Sequence, residues 1–326
     1  PVTFQAYPLR DFDLESGIDK KSQKPKGSPQ RMMKSMGKLI HHHYKRSPIL
    51  LMLLFLLSLV IALIFIASSR RLASYLNMVS DTESHYPFPD LKNLVMVAGH
   101  SVYTSNCGKP EKEDSWYLAS YQRHPGQAAS FVSHIQKGVE IADEDNLSLL
   151  LFSGGETRKD AGPRSEAQSY WIVAESKEWF GNRGNVRERA LTEEHARDSY
   201  ENLLFSLCRF RELTGSYPRN VTVVGYDFKA ERFVDLHRSA VRFPASRFRY
   251  YGTPSAPDSI EAALKGEAAV RDQFESDPYG CSGSLFRKKM KRDPFHRSVP
   301  YPKGCPEMAG LFGYCGASPY PGFLPW

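Results

Sequence analysis

Two carboxylates, Glu166 and Glu193, stand where a chain of this pattern could do acid–base work. Each is a candidate proton donor, proton acceptor or hydrogen-bond acceptor for a ligand hydroxyl. Asn202 is placed to orient either of them. Ahead of Glu166 lies the run Leu147 to Arg158, LSLLLFSGGETR. Its apolar block stops abruptly at Ser153-Gly154-Gly155, which leaves a loop without bulky side chains. Gly154 and Gly155, together with a helix beginning at Ser165, could offer backbone N–H groups to an anion. Further on, Lys229 and Arg232 sit three residues apart, one helical turn, so both can reach one side. Their positive charge suits phosphate or carboxylate.

The elements that must position these residues follow from hydrophobic periodicity. Leu94 to Ala98 reads as a strand ending at Gly99-His100-Ser101, and residues 147–152 as a second, covered on both faces. Val221 to Gly225 and Phe248 to Tyr251 supply two more. Between them, Ala128, Phe131, Val132, Ile135, Val139 and Ala142 fall at helical spacing. Helices also begin at Ser165, with Gln168 three residues on, and at Asp198, with Glu201 as return partner of a capping box. Helical patterns continue through Phe233 to Val241 and Ile260 to Phe274. Strands alternating with helices imply right-handed crossovers and a mainly parallel sheet with helices on both faces. The ligand edge of such a sheet is its C-terminal edge. There the loops after three strands, at Gly99, Ser153 and Gly225, all bear glycine. Glu156 and Arg158 are expected on the loop surface, and His100 as an ordinary hydrogen-bonded histidine.

Three blocks carry a resemblance: the first strand with Gly99; SGGETR followed by Ser165-Glu166-Ala167; and Glu193 through Asp198-Ser199-Tyr200-Glu201-Asn202. A looser fourth is Gly225-Tyr226-Asp227-Phe228-Lys229 with Arg232. Over about residues 91–275 the chain resembles the SanA/ElyC/YdcF-like domain-of-unknown-function family, in the form found in fungi. The resemblance implies a Rossmann-like fold with the matching residues gathered at the sheet's C-terminal edge. It implies a site of Gly99, Ser153, Gly154, Gly155, Asp198, Asn202, Lys229 and Arg232 beside Glu166 and Glu193. The family's activity is largely unsettled; bacterial members are associated with envelope and lipid-carrier metabolism, and S-adenosylmethionine binding has been attributed to some. Where the family often has His and then Arg, this chain has Lys229 and Arg232, so no neutral imidazole is available there as a base.

The rest of the chain sets the context. Residues 1–46 hold ten Lys/Arg and four Asp/Glu, with no apolar period, and read as a disordered basic tail. The run His41-His42-His43 belongs to that tail rather than to a metal site. Residues 49–67 carry no charge and only Ser58 as a polar member, long enough at about 1.5 Å per residue to cross a bilayer. Lys34, Lys38, Lys45 and Arg46 precede this run, whereas Arg70 and Arg71 follow it closely. The charge bias places the N-terminus in the cytosol and the domain of residues 80–275 in the lumen or exterior. Residues 72–326 are nearly neutral, so the basic pI describes the tail and excludes a nucleic-acid-binding reading. Asn146-Leu147-Ser148 and Asn220-Val221-Thr222 are glycosylation sequons. Five cysteines allow two disulfides and one thiol, and Cys208, in an apolar helix pattern, is expected to be unpaired. No zinc spacing appears, no metal is expected, and the cofactor is unknown. Residues 276–326 read as an extended arm packed on the domain, with Arg287 to Arg292 as a solvated basic face. Two functions fit: an enzyme acting on a phosphorylated, nucleotide-like or lipid-linked substrate, or a non-catalytic ligand-binding module of a membrane complex.

Overall fold

The computed structural model describes residues 48–81, 86–105, 109–255 and 260–326. The basic tail, the His41–His43 run and Cys107 lie outside the described residues. The chain divides into two units, residues 1–83 and 84–326. In the first, helix α1 (Pro48–Asp81) runs for 34 residues and outlasts the apolar run inside it. Leu51–Arg70 is one helix segment long and apolar enough to cross a membrane, about 30 Å at the α-helical rise. Large apolar side chains such as Phe55, Ile61 and Phe65 are exposed along it.

The second unit is an α/β domain of Rossmann-like form. Its strands are β1 (Asn93–Ala98), β4 (Ser148–Ser153), β5 (Ala190–Glu193), β6 (Asn220–Tyr226) and β7 (Phe248–Thr253). A short hairpin, β2 (Val102–Tyr103) with β3 (Trp116–Tyr117), stands apart. The five strands pair in the order β5-β4-β1-β6-β7, all parallel. Residues 147–152 and 221–226 therefore flank β1 on opposite sides rather than pairing with each other.

Each central strand is apolar on both faces because both are covered. Leu94, Met96, Leu149, Leu151, Val221 and Val223 pack on one side against α4 (Ser199–Thr214). On the other side Val95, Val97, Leu150, Phe152 and Val224 pack against α2 (Gln127–Asp143) and α3 (Glu166–Ser176). Each fully buried side chain of this kind contributes about 1.5–3 kcal/mol. The approach of α2 to β1 is set by Gly138, where an added Cβ would lie 2.2 Å from a Val97 methyl. Any side chain there would drive the helix off the sheet.

Several elements depart from the sequence reading. Strand β5 was not legible, since Ala190-Leu191-Thr192-Glu193 is short and half polar, as suits an edge. The segment after β6 begins with a 3-10 turn, Asp227–Lys229, and continues through a π-helical turn, Arg232–His237, rather than as one regular helix. The C-terminal arm is not simply extended. It contains α6 (Gly283–Lys291), following α5 (Ile260–Ser276). Leu285 and Lys289, one turn apart on α6, face inward.

Cys208 is buried, as its helical position implies, but it is bonded to Cys305, with Cα atoms 5.0 Å apart. Cys281 is bonded to Cys315. An inward position on α4 is also the surface on which the arm packs, so burial and pairing are compatible there. The Cys208–Cys305 link closes a loop of sequence separation 97. Cys208→Ser should cost about 2–5 kcal/mol. Denaturant unfolding of the detergent-solubilised protein, with and without reductant, checks this: the variant should lose most of the difference that reductant makes.

Candidate functional site

The chain leaves β1 in one direction to build β4 and β5, then returns to the other side of β1 to build β6 and β7. β1 and β6 therefore flank the topological switch point, where the loops at their C-terminal ends diverge and open a crevice. A cavity of about 580 Å³ lies there, lined by Gly99 and His100 after β1 and by Tyr226, Phe228 and Lys229 after β6. Ser199 and Asn202 from the start of α4, Glu166 from the start of α3, and the small face Ala262, Ala263 and Gly266 of α5 complete its walls.

One wall is cationic. Lys229 is half-buried with its ammonium 5.2 Å from the Tyr226 ring centre and 5.7 Å from that of Phe228. Among the described residues it makes no hydrogen bond or ion pair. Burial, reinforced by Arg232 and partly offset by Glu267, pulls its pKa down to about 7. Arg232 is buried and fixed at both ends of its guanidinium: Nη2 donates to Glu267 Oε2 at 2.8 Å, and Nη1 to Ser199 Oγ at 3.2 Å. Lys288 and Arg292 enter from the arm. They lie four residues apart on and just after α6, on the same stripe as the buried Leu285 and Lys289. The basic run is thus a helix docked along one stripe, while Arg287 and Lys291 remain exposed.

The backbone N–H groups of Gly154 and Gly155 are engaged within the protein. Gly154 N–H donates to Glu193 O at 3.0 Å and Gly155 N–H to Ala196 O at 2.7 Å. The first donors of α3 are also engaged: Glu166 N–H meets Gly155 O, Ala167 N–H meets Gly154 O, and Gln168 N–H meets Ser165 Oγ. The expected anion cradle at this turn is therefore filled by the protein's own carbonyls. Gly99 serves close packing, because a Cβ there would lie 2.7 Å from Glu166 Cβ and 2.9 Å from Ser153 O.

The two carboxylates separate. Glu166 is buried at the cavity wall, accepting at Oε1 from Thr157 Oγ1. Glu193 is 1% exposed and is not among the residues lining the cavity. Its Oε1 accepts from His195 N–H at 2.7 Å, and its Oε2 lies 2.8 Å from Ser153 Oγ, which is 3.1 Å from Asn202 Oδ1. Ser153, Glu193 and the Asn202 carbonyl end form a buried brace behind the site. The Asn202 Nδ2 makes no hydrogen bond among the described residues and lies on the cavity side of that brace. Asp198 caps α4, its Oδ1 accepting from Glu201 N–H at 2.8 Å, and its Oδ2 lies 3.2 Å from Lys289 Nζ. Glu201 reaches past the cap to Arg197, accepting from its backbone N–H at 2.9 Å and pairing with its guanidinium. Glu156 is buried, against expectation, and pairs with Arg297 from the arm at 3.1 Å.

His100 is more than an ordinary histidine. Its ring stacks on Tyr226, centres 5.0 Å apart and planes 15° apart, and meets His134 edge-on. Burial, then Lys229, holds its pKa well below the usual value, so it lines the cavity as a neutral ring. The sequence signal for this was the periodic placement of His134 on the inward face of α2. The signal for Lys288 and Arg292 was their four-residue spacing.

The chain is similar to the uncharacterized protein YOR238W of Saccharomyces cerevisiae (strain ATCC 204508 / S288c), with 26% identity over 262 residues, 64% of this chain and 86% of that protein. No family model matches the chain, and no solved structure matches it.

Burial raises the Glu193 carboxyl to about 7, against about 4.3 in an unfolded chain. Between those values the folded state holds a proton that the unfolded state has lost. Stability from this group is therefore full at low pH and falls as pH rises through 7. Glu193→Gln mimics the protonated acid, donating to Ser153 and accepting from His195. Unfolding midpoints at pH 5 and pH 8 should show that the variant loses on the order of 2–3 kcal/mol less than the wild type across that interval.

Proposed function

We propose that this is a membrane-anchored domain whose switch-point cavity binds a small anionic ligand that is phosphorylated, nucleotide-like or lipid-linked. The observation that supports it best is the cationic wall of Lys229, Arg232, Lys288 and Arg292, facing a cavity whose lining carboxylates are Glu166, Asp198 and Glu267. Like charges crowded in a half-buried site repel one another, and an anion among them relieves that repulsion. The stacked Tyr226 and Phe228 rings, with centres 5.0 Å apart, supply an apolar surface beside the charge. A ligand with a planar or greasy portion next to its anionic group fits this pairing.

Residues 49–67 anchor the chain in the bilayer, with the N-terminus cytosolic and the domain lumenal or extracellular. Two disulfides are consistent with an oxidising compartment, and Asn146 and Asn220 of the two sequons are both exposed. In this reading the chain is a fungal, membrane-anchored relative of the SanA/ElyC/YdcF-like family. The alternative, a binding module without turnover, uses the same pocket and the same charges.

Two measurements test the proposal. Removing a charge-assisted contact costs about 1.5–3 kcal/mol, so Lys229→Ala should weaken binding of inorganic phosphate or a nucleoside monophosphate roughly ten- to a hundredfold by calorimetry. Equal binding by wild type and variant would remove the cavity as the anion site. Mild protease on sealed membranes should cleave residues 1–46 from the cytosolic side and spare the domain; the opposite pattern reverses the topology.

A further inference from the structure

Ser199 and His237 form a hydrogen-bonded pair that anion binding does not require. Ser199 is the first residue of α4 and lines the cavity. Its Oγ lies 2.8 Å from His237 Nε2 and accepts from Arg232 Nη1 at 3.2 Å. Arg232 can only donate to Oγ, which leaves the hydroxyl hydrogen free to point at His237 Nε2; in that tautomer the ring hydrogen resides on Nδ1. His237 is fully buried, held edge-on against Phe233 and Phe274 at centre distances of 5.3 and 4.6 Å. Burial, with Arg232 and Lys289 nearby, keeps the ring neutral and thus able to accept. A serine hydroxyl donating to a neutral imidazole, at the wall of a cavity, is the arrangement of an activated nucleophile.

Resting on the anion-binding reading above, we propose that Ser199 is a nucleophile toward phosphate esters, with His237 as its base. Oγ attacks phosphorus, forming the Oγ–P bond while the bond from phosphorus to the leaving alcohol oxygen breaks. The hydroxyl proton passes to His237 Nε2 and stays there, while the departing oxygen, in line on the far side of phosphorus, takes its proton from solvent. Water then attacks the phosphoserine from the side opposite Oγ and loses its proton to solvent; the Oγ–P bond breaks, phosphate is released, and Oγ takes back the proton held on His237 Nε2. Arg232 stabilises the developing charge on Oγ, and Glu267 fixes its guanidinium in place. The positive end of α4, at whose first position Ser199 sits, acts in the same direction. The cationic wall favours a phosphate over a carboxylic ester, because charge accumulates on the non-bridging oxygens that Lys229 and Arg232 face.

The pair differs from a complete triad in one respect. His237 Nδ1 has no hydrogen-bond partner among the described residues, so packing against two phenyl rings orients the imidazole instead of a carboxylate.

The test is covalent labelling of the full-length, detergent-solubilised protein with diisopropyl fluorophosphate, read by intact mass and peptide mapping. The reagent forms an Oγ–P bond and expels fluoride. One adduct at Ser199 is expected, absent from Ser199→Ala and slowed at least about a hundredfold in His237→Gln. Millimolar inorganic phosphate should slow labelling of the wild type by occupying the cavity. The wild-type result needs no variant to fold: no adduct, or an adduct only at another residue, overturns the nucleophile. Equal labelling of a folded His237→Gln overturns the base, and labelling indifferent to phosphate overturns the substrate class. Each of these can occur while phosphate binding and its loss in Lys229→Ala stand, which separates this proposal from the one it rests on.

Discussion

The site depends on how the ends of three parallel strands are tied together. Gly99 N–H donates to Ser153 O at 2.7 Å, Gly154 N–H to Glu193 O, and Gly155 N–H to Ala196 O. Beneath them, Ser153 Oγ meets Glu193, and Glu166 Cβ occupies the space that the absent side chain of Gly99 leaves. Buried backbone donors are costly to leave unpaired, and this knot pairs each of these with a protein carbonyl. Its consequence is a division of labour. The β1–β4–β5 side of the sheet supplies a rigid floor, and recognition of charge falls to side chains from beyond β6 and from the arm.

That division explains what was legible in the sequence. The three central strands and the helices between them stand out because a parallel sheet covered on both faces needs continuous apolar runs. Lys229 and Arg232 could be placed beside the site, since a motif of two cations one turn apart at a strand end has few structural uses. Glu193 was misplaced because distance along the chain does not say whether a carboxylate at a strand end faces the ligand or the next strand. It is the last residue of β5, opposite Ser153, and turns under the loop. The glycine pair misled for a related reason: glycine marks close approach, and here the approaching group is the protein itself. Lys288 and Arg292 were hidden by composition, since a run of basic residues looks the same whether one face docks or none does. Only the inward pair Leu285 and Lys289 distinguishes the two.

The electrostatic state of the cavity follows from the same architecture. Arg232 is satisfied by Glu267 and Ser199, so it is a fixed charge that costs little further ordering when a ligand arrives. Lys229 is the opposite case. Held over two aromatic faces, with no carboxylate in ion-pair contact among the described residues, its ammonium is the least stable cation of the wall. A molecule that binds only the folded state and neutralises this wall also stabilises the fold, by about 2.7 kcal/mol at a concentration one hundred times its dissociation constant.

The disulfides give the site a history. Cys208–Cys305 fastens the arm to α4, and Cys281–Cys315 closes a loop within the arm that holds α6, which carries Lys288 and leads to Arg292. The sheet and its floor are complete without either bond. The far half of the cationic wall is covalently secured only after oxidation. A newly made chain in a reducing environment can therefore possess the fold and lack the finished cavity. Oxidative maturation, rather than synthesis, would then mark when the protein becomes competent, and the rim it secures is the part most sensitive to loss of those bonds.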